Sequence, residues 1–248
     1  MPSCLDVRGY TKAYDTLVAV RDLSFHVDAG QILGLVGPNG AGKTTTMRAV
    51  AGIIQPTHGA ITVLGHDIVA APVEAKRRLA YVPDDPKLFD ALTIWEHLRF
   101  IAAAYEVRAW EPAANALLDR FELAPKRDAL AQELSRGMRQ KLAICCASLH
   151  APALLMLDEP MTGLDPRGIR TLKDAIREHA TRGAGVVISS HLLALVEDLV
   201  THLLIVHRGE RIFLGSVDEA RASFGAGGGS LEELFFKATE TGAGGAEA

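Results

Sequence analysis

A chain of 248 residues that is 48% hydrophobic and 23% charged has ample apolar material for one large domain, or for a core with a subdomain, and is too apolar to be disordered. A formal net charge of −4 and a pI near 6.1 argue against binding nucleic acid through bulk electrostatics, so no nucleic-acid partner is expected. No apolar run reaches the roughly 18 residues of a membrane span. The opening MPSCLDVRGYTKAYD lacks the charged start and apolar middle of a secretory leader, and Cys4, Cys145 and Cys146 show no metal-type spacing, so a reducing compartment, the cytosol, is expected.

In chain order, short apolar runs alternate with helical patterns, the signature of an α/β fold. QILGLV (residues 31–36) reads as a buried strand, followed by a Gly-rich turn and a helix over 43–50 that stops near Gly52. PTHG (56–59) reads as a turn, with strands over 60–64 and 79–82. YVPDDPKLF (81–89) then sets Asp84 and Asp85 side by side, with a proline on each flank. From 91 to 151 the pattern is helical, and the vicinal Cys145-Cys146 within it reads as core packing. ALLML (153–157) and GVVIS (185–189) are compact runs typical of buried parallel strands. Between them a helix is expected over 166–182, with Ile169, Leu172, Ile176 and Ala180 on one face, Asp165 as its cap and Pro166 at its first position. Residues 203–215 read as a hairpin turning at Arg208-Gly209. After a flexible break at 225–229, Ser230 and Glu233 form a capping-box pattern. The stripe Leu231, Leu234, Phe235 and Ala238 should dock on the domain, and the last residues, 241–248, should fray.

The first chemical motif is GPNGAGKTT, which comprises Gly37, Pro38, Asn39, Gly40, Ala41, Gly42, Lys43, Thr44 and Thr45 and matches G-x-x-x-x-G-K-[ST] between a strand and a helix. Its glycines let successive backbone N–H groups turn inward around phosphate oxygens, and the helix N-terminus adds its positive dipole end. Lys43 is placed to reach the β- and γ-phosphates and the Thr44 hydroxyl to ligate Mg²⁺, so the chain is expected to bind a nucleoside triphosphate. LLMLDEP (154–160) is an apolar strand ending in two acids. Asp158 is the expected Mg²⁺ carboxylate, and Glu159 the base that accepts a proton from the attacking water. His191 follows another buried strand, VVISSH, at the carboxyl edge where ligand sites of parallel sheets gather, and a γ-phosphate contact is expected of it.

LSRGMRQKL (134–142) precedes the Asp-Glu strand and starts a helix; its Ser135 and Gly137 resemble the fixed positions of the ATP-binding-cassette signature, usually L-S-G-G-Q. GPNGAGKTT, YVPDDPKLF, LSRGMRQKL, LLMLDEP, TGLD and SSH, in that order, resemble the motif sequence of an ABC transporter ATPase over about residues 5–215. The resemblance implies an α/β fold: a P-loop NTPase core of ABC type with a small antiparallel β subdomain and a helical subdomain inserted over about 87–151. The ATPase domain would cover 1–225, with a Gly-rich linker, a short amphipathic helix and a tail over 226–248. ATP and Mg²⁺ are implied as cofactors. So are a second ABC ATPase subunit, identical or different, closing head to tail around two ATP, and an integral membrane permease that would hold the chain at the inner face of the cell membrane. Ser135 and the Gly137 backbone would touch the partner subunit's ATP, Asp165 would cross the interface, and Tyr14 matches the aromatic on which adenine stacks. The helical lobe and the segment 84–93 would pass the motion to the permease.

Three departures stand out. Arg136 replaces the first signature glycine, Met138 replaces the usual Gln, and Asp84 stands where the family carries a Gln that reaches the metal or the attacking water. Asp84 is therefore expected as a metal-proximal acid in the closed dimer, while Asp85 keeps a solvated turn role. The Ser-Arg-Gly-Met variant and the terminal LEELFFKAT resemble export systems. The alternative is a soluble ABC-type ATPase acting on a ribosome or another macromolecule without a permease; a single cassette and an acidic balance weigh against it.

Overall fold

Strands whose side chains are buried on both faces form the centre of the molecule, in a computed structural model that describes residues 3–224 and 230–243. In chain order, β1 (Ser3–Tyr14) and β2 (Leu17–Asp28) precede β3 (Ile32–Val36), the phosphate-loop helix α1 (Lys43–Val50), β4 (His58–Val63), β5 (His66–Asp67), α2 (Pro72–Lys76) and β6 (Leu79–Val82). Three helices follow: α3 (Ile94–Ala104), α4 (Glu111–Arg120) and α5 (Arg136–Leu149). The chain then runs through β7 (Leu154–Asp158), α6 (Pro166–Thr181), β8 (Gly185–Ser190), α7 (Leu193–Val196), β9 (His202–His207), β10 (Glu210–Ser216), α8 (Val217–Ser223) and α9 (Leu231–Ala243).

A six-stranded sheet has the order β10-β9-β3-β8-β7-β6, parallel throughout except for β10, which pairs antiparallel with β9. A second, four-stranded antiparallel sheet has the order β2-β1-β4-β5. Alternation along each central strand feeds two cores. Leu33, Leu35, Met156 and Val187 pack toward the antiparallel sheet, while Ile32, Val36, Leu155, Leu157 and Ile188 pack toward the helices. Both faces being covered is why these strands read as unbroken apolar runs. The parallel arrangement brings the carboxyl ends of β3, β7 and β8 to one edge. The P-loop core, the antiparallel sheet and the helices α3–α5 inserted between β6 and β7 are the expected ABC-type layers.

Two local expectations are corrected. His58 and Gly59 open β4 and do not form a turn. Gly59 adopts φ +88°, and a Cβ there would lie 2.4 Å from the Gly9 carbonyl oxygen, so the glycine serves a close backbone approach to β1. At the other end of the chain, Thr241 to Ala243 continue α9, where fraying was expected. The expected break at 225–229 and the residues 244–248 lie outside the described residues. Cys145 is buried and Cys146 half-buried, in keeping with a packing role. The stripe on α9 docks: Leu231, Leu234 and Ala238 are buried in the same core as Leu193 and Val196 of α7.

Candidate active site

The turn from β3 into α1 is shaped by its glycines. Gly40 and Gly42 sit at φ +81° and +97°, in the left-handed region, and a Cβ on Gly37 would lie 2.3 Å from the Val206 carbonyl oxygen. Pro38, Asn39, Gly40 and Thr44 are exposed on this turn, Ala41 is buried, and Thr45 is half-buried. Lys43 is only 7% exposed and folds back over the loop, its Nζ donating to the carbonyls of Gly37 at 2.7 Å and Pro38 at 3.2 Å. Burial pushes its pKa down, against the opposing pull of the Glu159 and Asp158 carboxylates. The ammonium thus occupies the mouth of the loop on carbonyls that phosphate oxygens would replace.

At the end of β7, Asp158 is 1% exposed and its two oxygens are held separately. Oδ1 accepts from the Ser189 hydroxyl, and Oδ2 accepts from the Tyr81 hydroxyl at 3.2 Å. Burial, then the Asp158 charge, drives the Tyr81 pKa up, which keeps the phenol protonated and donating. The next residue, Glu159, adopts φ +48°, an uncommon backbone state for a non-glycine residue. It is pinned there by its N–H, which donates to the Ser189 carbonyl at 3.1 Å and shares the Ser189 hydroxyl oxygen at 3.2 Å. Its Oε1 lies 2.9 Å from Nδ1 of His191. Sequence reasoning gave His191 a phosphate contact; the structure pairs it with Glu159. Tyr81 and Ser189 were missed altogether, although polar hydroxyls at the ends of apolar runs are the signal that could have singled them out.

The signature residues form a second group. Ser135 caps α5, its hydroxyl oxygen accepting from the Met138 N–H at 3.3 Å, and is exposed. A Cβ on Gly137 would lie 2.6 Å from the Gly163 carbonyl oxygen, so the signature glycine is demanded by the TGLD loop passing over it. Asp165 caps α6 by accepting from the Gly168 N–H at 3.2 Å and also takes a salt bridge from Lys141 of α5 at 3.2 Å, which lowers its pKa. Arg136 donates from Nη2 to Asp84 Oδ1 at 3.2 Å, and Asp85 is exposed and paired with Lys87. Tyr14, at the end of β1, is 44% exposed, with Lys12 Nζ 4.9 Å from its ring centroid.

Thr44, Asp84 and Asp158, the three proposed metal groups, line one cavity of about 750 Å³. Their oxygens are the hard donors that Mg²⁺ prefers. Because Asp158 is already engaged by two hydroxyls, it would reach such an ion through water. Phe89, Phe100, Tyr105 and His150 also line this cavity; the rings of the last two stack with centroids 3.8 Å apart.

The family model described as "ABC transporter" matches residues 20–162. The ABC-type transporter ATP-binding protein EcsA of Bacillus subtilis (strain 168) is 35% identical over 98% of this chain and 99% of its own length. The daunorubicin/doxorubicin resistance ATP-binding protein DrrA of Streptomyces peucetius is 35% identical over 90% of this chain and 68% of its own. A solved structure described as the ATP-binding subunit of an ABC transporter superposes with a TM-score of 0.92 at 36% identity, covering 95% of this chain and 99% of that one.

Proposed function

The chain belongs to the ABC transporter family as an ATP-binding subunit, an ATPase coupled to transport, and we propose that it hydrolyses ATP in a head-to-tail dimer that drives a separate membrane permease, in the direction of export. Among the described residues no helix is long and apolar enough to cross a membrane, so the permease would supply the membrane path and hold this chain at its inner face. Export is favoured by the Ser-Arg-Gly-Met signature and by the names of relatives such as the Nod factor export ATP-binding protein I of Burkholderia thailandensis, 36% identical over 86% of this chain. The apolar lining of the large cavity, from Leu88 and Phe89 of the 84–93 segment and from Phe100, supports a docking role for that face.

The contact between Glu159 and His191 carries the catalytic reading. A carboxylate fixed at a strand end by a strained backbone and an imidazole is a general base held in position, next to a lysine aimed into a phosphate loop. In hydrolysis, water attacks the γ-phosphorus, Glu159 takes its proton, and the bond from the γ-phosphorus to the β–γ bridging oxygen breaks to leave ADP and phosphate. Lys43 and the loop N–H groups hold the β- and γ-phosphate oxygens, and Mg²⁺, which Thr44 and Asp158 would hold, would offset their charge. His191 orients Glu159, and Tyr14 offers adenine a face. Ser135 and Gly137 would complete the site of the opposite subunit, with Asp165 at the shared seam.

Glu159→Gln tests this directly. ATP binding should persist, turnover should fall by about 10²-fold or more, and a dimer trapped on ATP should elute at twice the subunit mass. Unchanged steady-state turnover in this variant would remove Glu159 from the mechanism. Recovery of the native protein with ribosomes in place of a membrane protein would favour the soluble alternative.

A further inference from the structure

The segment that carries His191 has little to hold it from within. After β8 ends at Ser190, a turn closed by the Leu192 N–H donating to the Ser190 hydroxyl at 3.0 Å leads into α7, a single helical turn of four residues. One turn has no stability of its own. Its fixed position comes from Leu193 and Val196, which are buried in the core that also takes up Leu231, Leu234 and Ala238 of α9. A second tie is polar. Glu197, directly after α7, accepts from the Leu231 N–H at 3.2 Å, placing a carboxylate at the positive start of α9, and pairs with Arg221 at 3.6 Å. A small cavity of about 110 Å³ separates α9 from the site, walled by Gly37 and His191 on one side and by Glu232 and Phe235 on the other. The last helix therefore braces the His191 turn from behind, beside the first glycine of the phosphate loop.

We propose that α9 is a positioning element for His191, with Leu234 and Glu197 as its positioning residues. The proposal rests on the reading that His191 orients Glu159. The buried contacts and the hydrogen bond that tie α9 to the site run through the His191 turn, so its effect falls on the rate of the chemical step more than on ATP binding. A catalytic group that drifts by about 1 Å loses about tenfold to a hundredfold in rate, because orientation and not affinity is lost.

The test uses the full chain and follows ATP turnover over a range of ATP concentrations. Leu231→Ala/Leu234→Ala should lower kcat by about tenfold with KM for ATP within about twofold, the rate being taken per folded subunit as counted by circular dichroism, since a partly unfolded sample would also lose apparent kcat at constant KM. Glu197→Gln, which keeps the shape and removes the charge at the start of α9, should give a smaller loss of kcat in the same direction. Combined with His191→Ala, either change should cost less than about a further twofold, since the group being positioned is gone. A crippled His191→Ala beside α9 variants of full kcat, or losses that multiply in the combined variants, would overturn the proposal alone. His191→Ala with full kcat would overturn the underlying reading and this one with it.

Discussion

The two halves of the proposed site are built to different standards. At the strand ends, Lys43, Asp158 and Glu159 are largely buried, each with two or more named partners supplied by neighbouring elements of the same chain. Around the signature, Ser135, Arg136, Asp84 and Asp165 are exposed and held by caps and surface ion pairs. Asp158 and Glu159 are carried by a parallel strand that cannot shift register without exposing a core face, and Lys43 opens the helix that follows β3. The second sits at helix starts and on a loop, where interactions are individually weak. A half-site that one chain completes and a half-site that it leaves open are the two surfaces that a head-to-tail dimer would join.

The sharpest way to break this contrast is to empty the buried half. Lys43→Ala should reduce turnover by about 10²-fold or more, as expected when a preorganised cation facing the transferred phosphoryl group is lost. Its thermal unfolding midpoint should nevertheless be unchanged or raised. Burial already holds the Lys43 pKa below its ordinary value, so the folded state is disfavoured by that charge. A variant that kept its activity, or that lost it only by unfolding, would put Lys43 outside the site.

A smaller effect is expected one step back from the reacting groups. Ser189 donates to Asp158 and accepts from the Glu159 N–H, so Ser189→Ala withdraws support from both acids at once. The Glu159 N–H keeps the Ser189 carbonyl, whereas Asp158 loses one of its two hydroxyl donors in a buried setting. Leaving a buried acceptor underserved costs about 1–3 kcal/mol, to be read by urea unfolding. Turnover should fall by about tenfold as the Asp158 carboxylate turns toward Tyr81. Unaltered stability and rate would show that Tyr81 alone positions Asp158.

The same contrast governs what could be read from the sequence. The phosphate loop and both acids were legible because β3, β7 and β8 are buried on both faces and announce themselves as apolar runs. All six strands of the larger sheet showed in the sequence as apolar runs or as a hairpin, without their order. β1 and β2 did not, because register shifts at several points break the alternation that marks a strand, and Gly9 enters the left-handed region in the middle of β1. The antiparallel sheet was reached through family resemblance and not through periodicity. Within the site, residue types were legible and pairings were not. Glu159 with His191 joins positions 32 apart, and Ser189 with Asp158 positions 31 apart, through strand neighbours that only the sheet order defines. The ion pair between Asp84 and Arg136 spans 52 positions and joins two departures from the family pattern that looked unrelated.

That ion pair carries the smallest effect and the finest distinction. The side chains are 50% and 63% exposed, so the bond contributes at most about 1 kcal/mol, and a charge reversal should leave the unfolding midpoint almost unmoved. Its consequence would show in the metal requirement. An Asp in place of an amide adds a negative charge facing the cavity shared with Thr44 and Asp158, and Arg136 offsets that charge while holding Oδ1. If Asp84 approaches Mg²⁺ in the closed dimer, the guanidinium competes with the ion for the same carboxylate. Arg136→Gly should then lower the Mg²⁺ concentration for half-maximal turnover by about twofold, and Asp84→Asn should raise it by a similar factor, both within the range of an exposed pair. The double variant should behave as Asp84→Asn alone, because Arg136 has nothing left to compete for. Titration of Mg²⁺ at saturating ATP separates the outcomes. Three variants with one and the same Mg²⁺ dependence would leave Asp84 as a tether between the loop and the signature helix, outside the metal site.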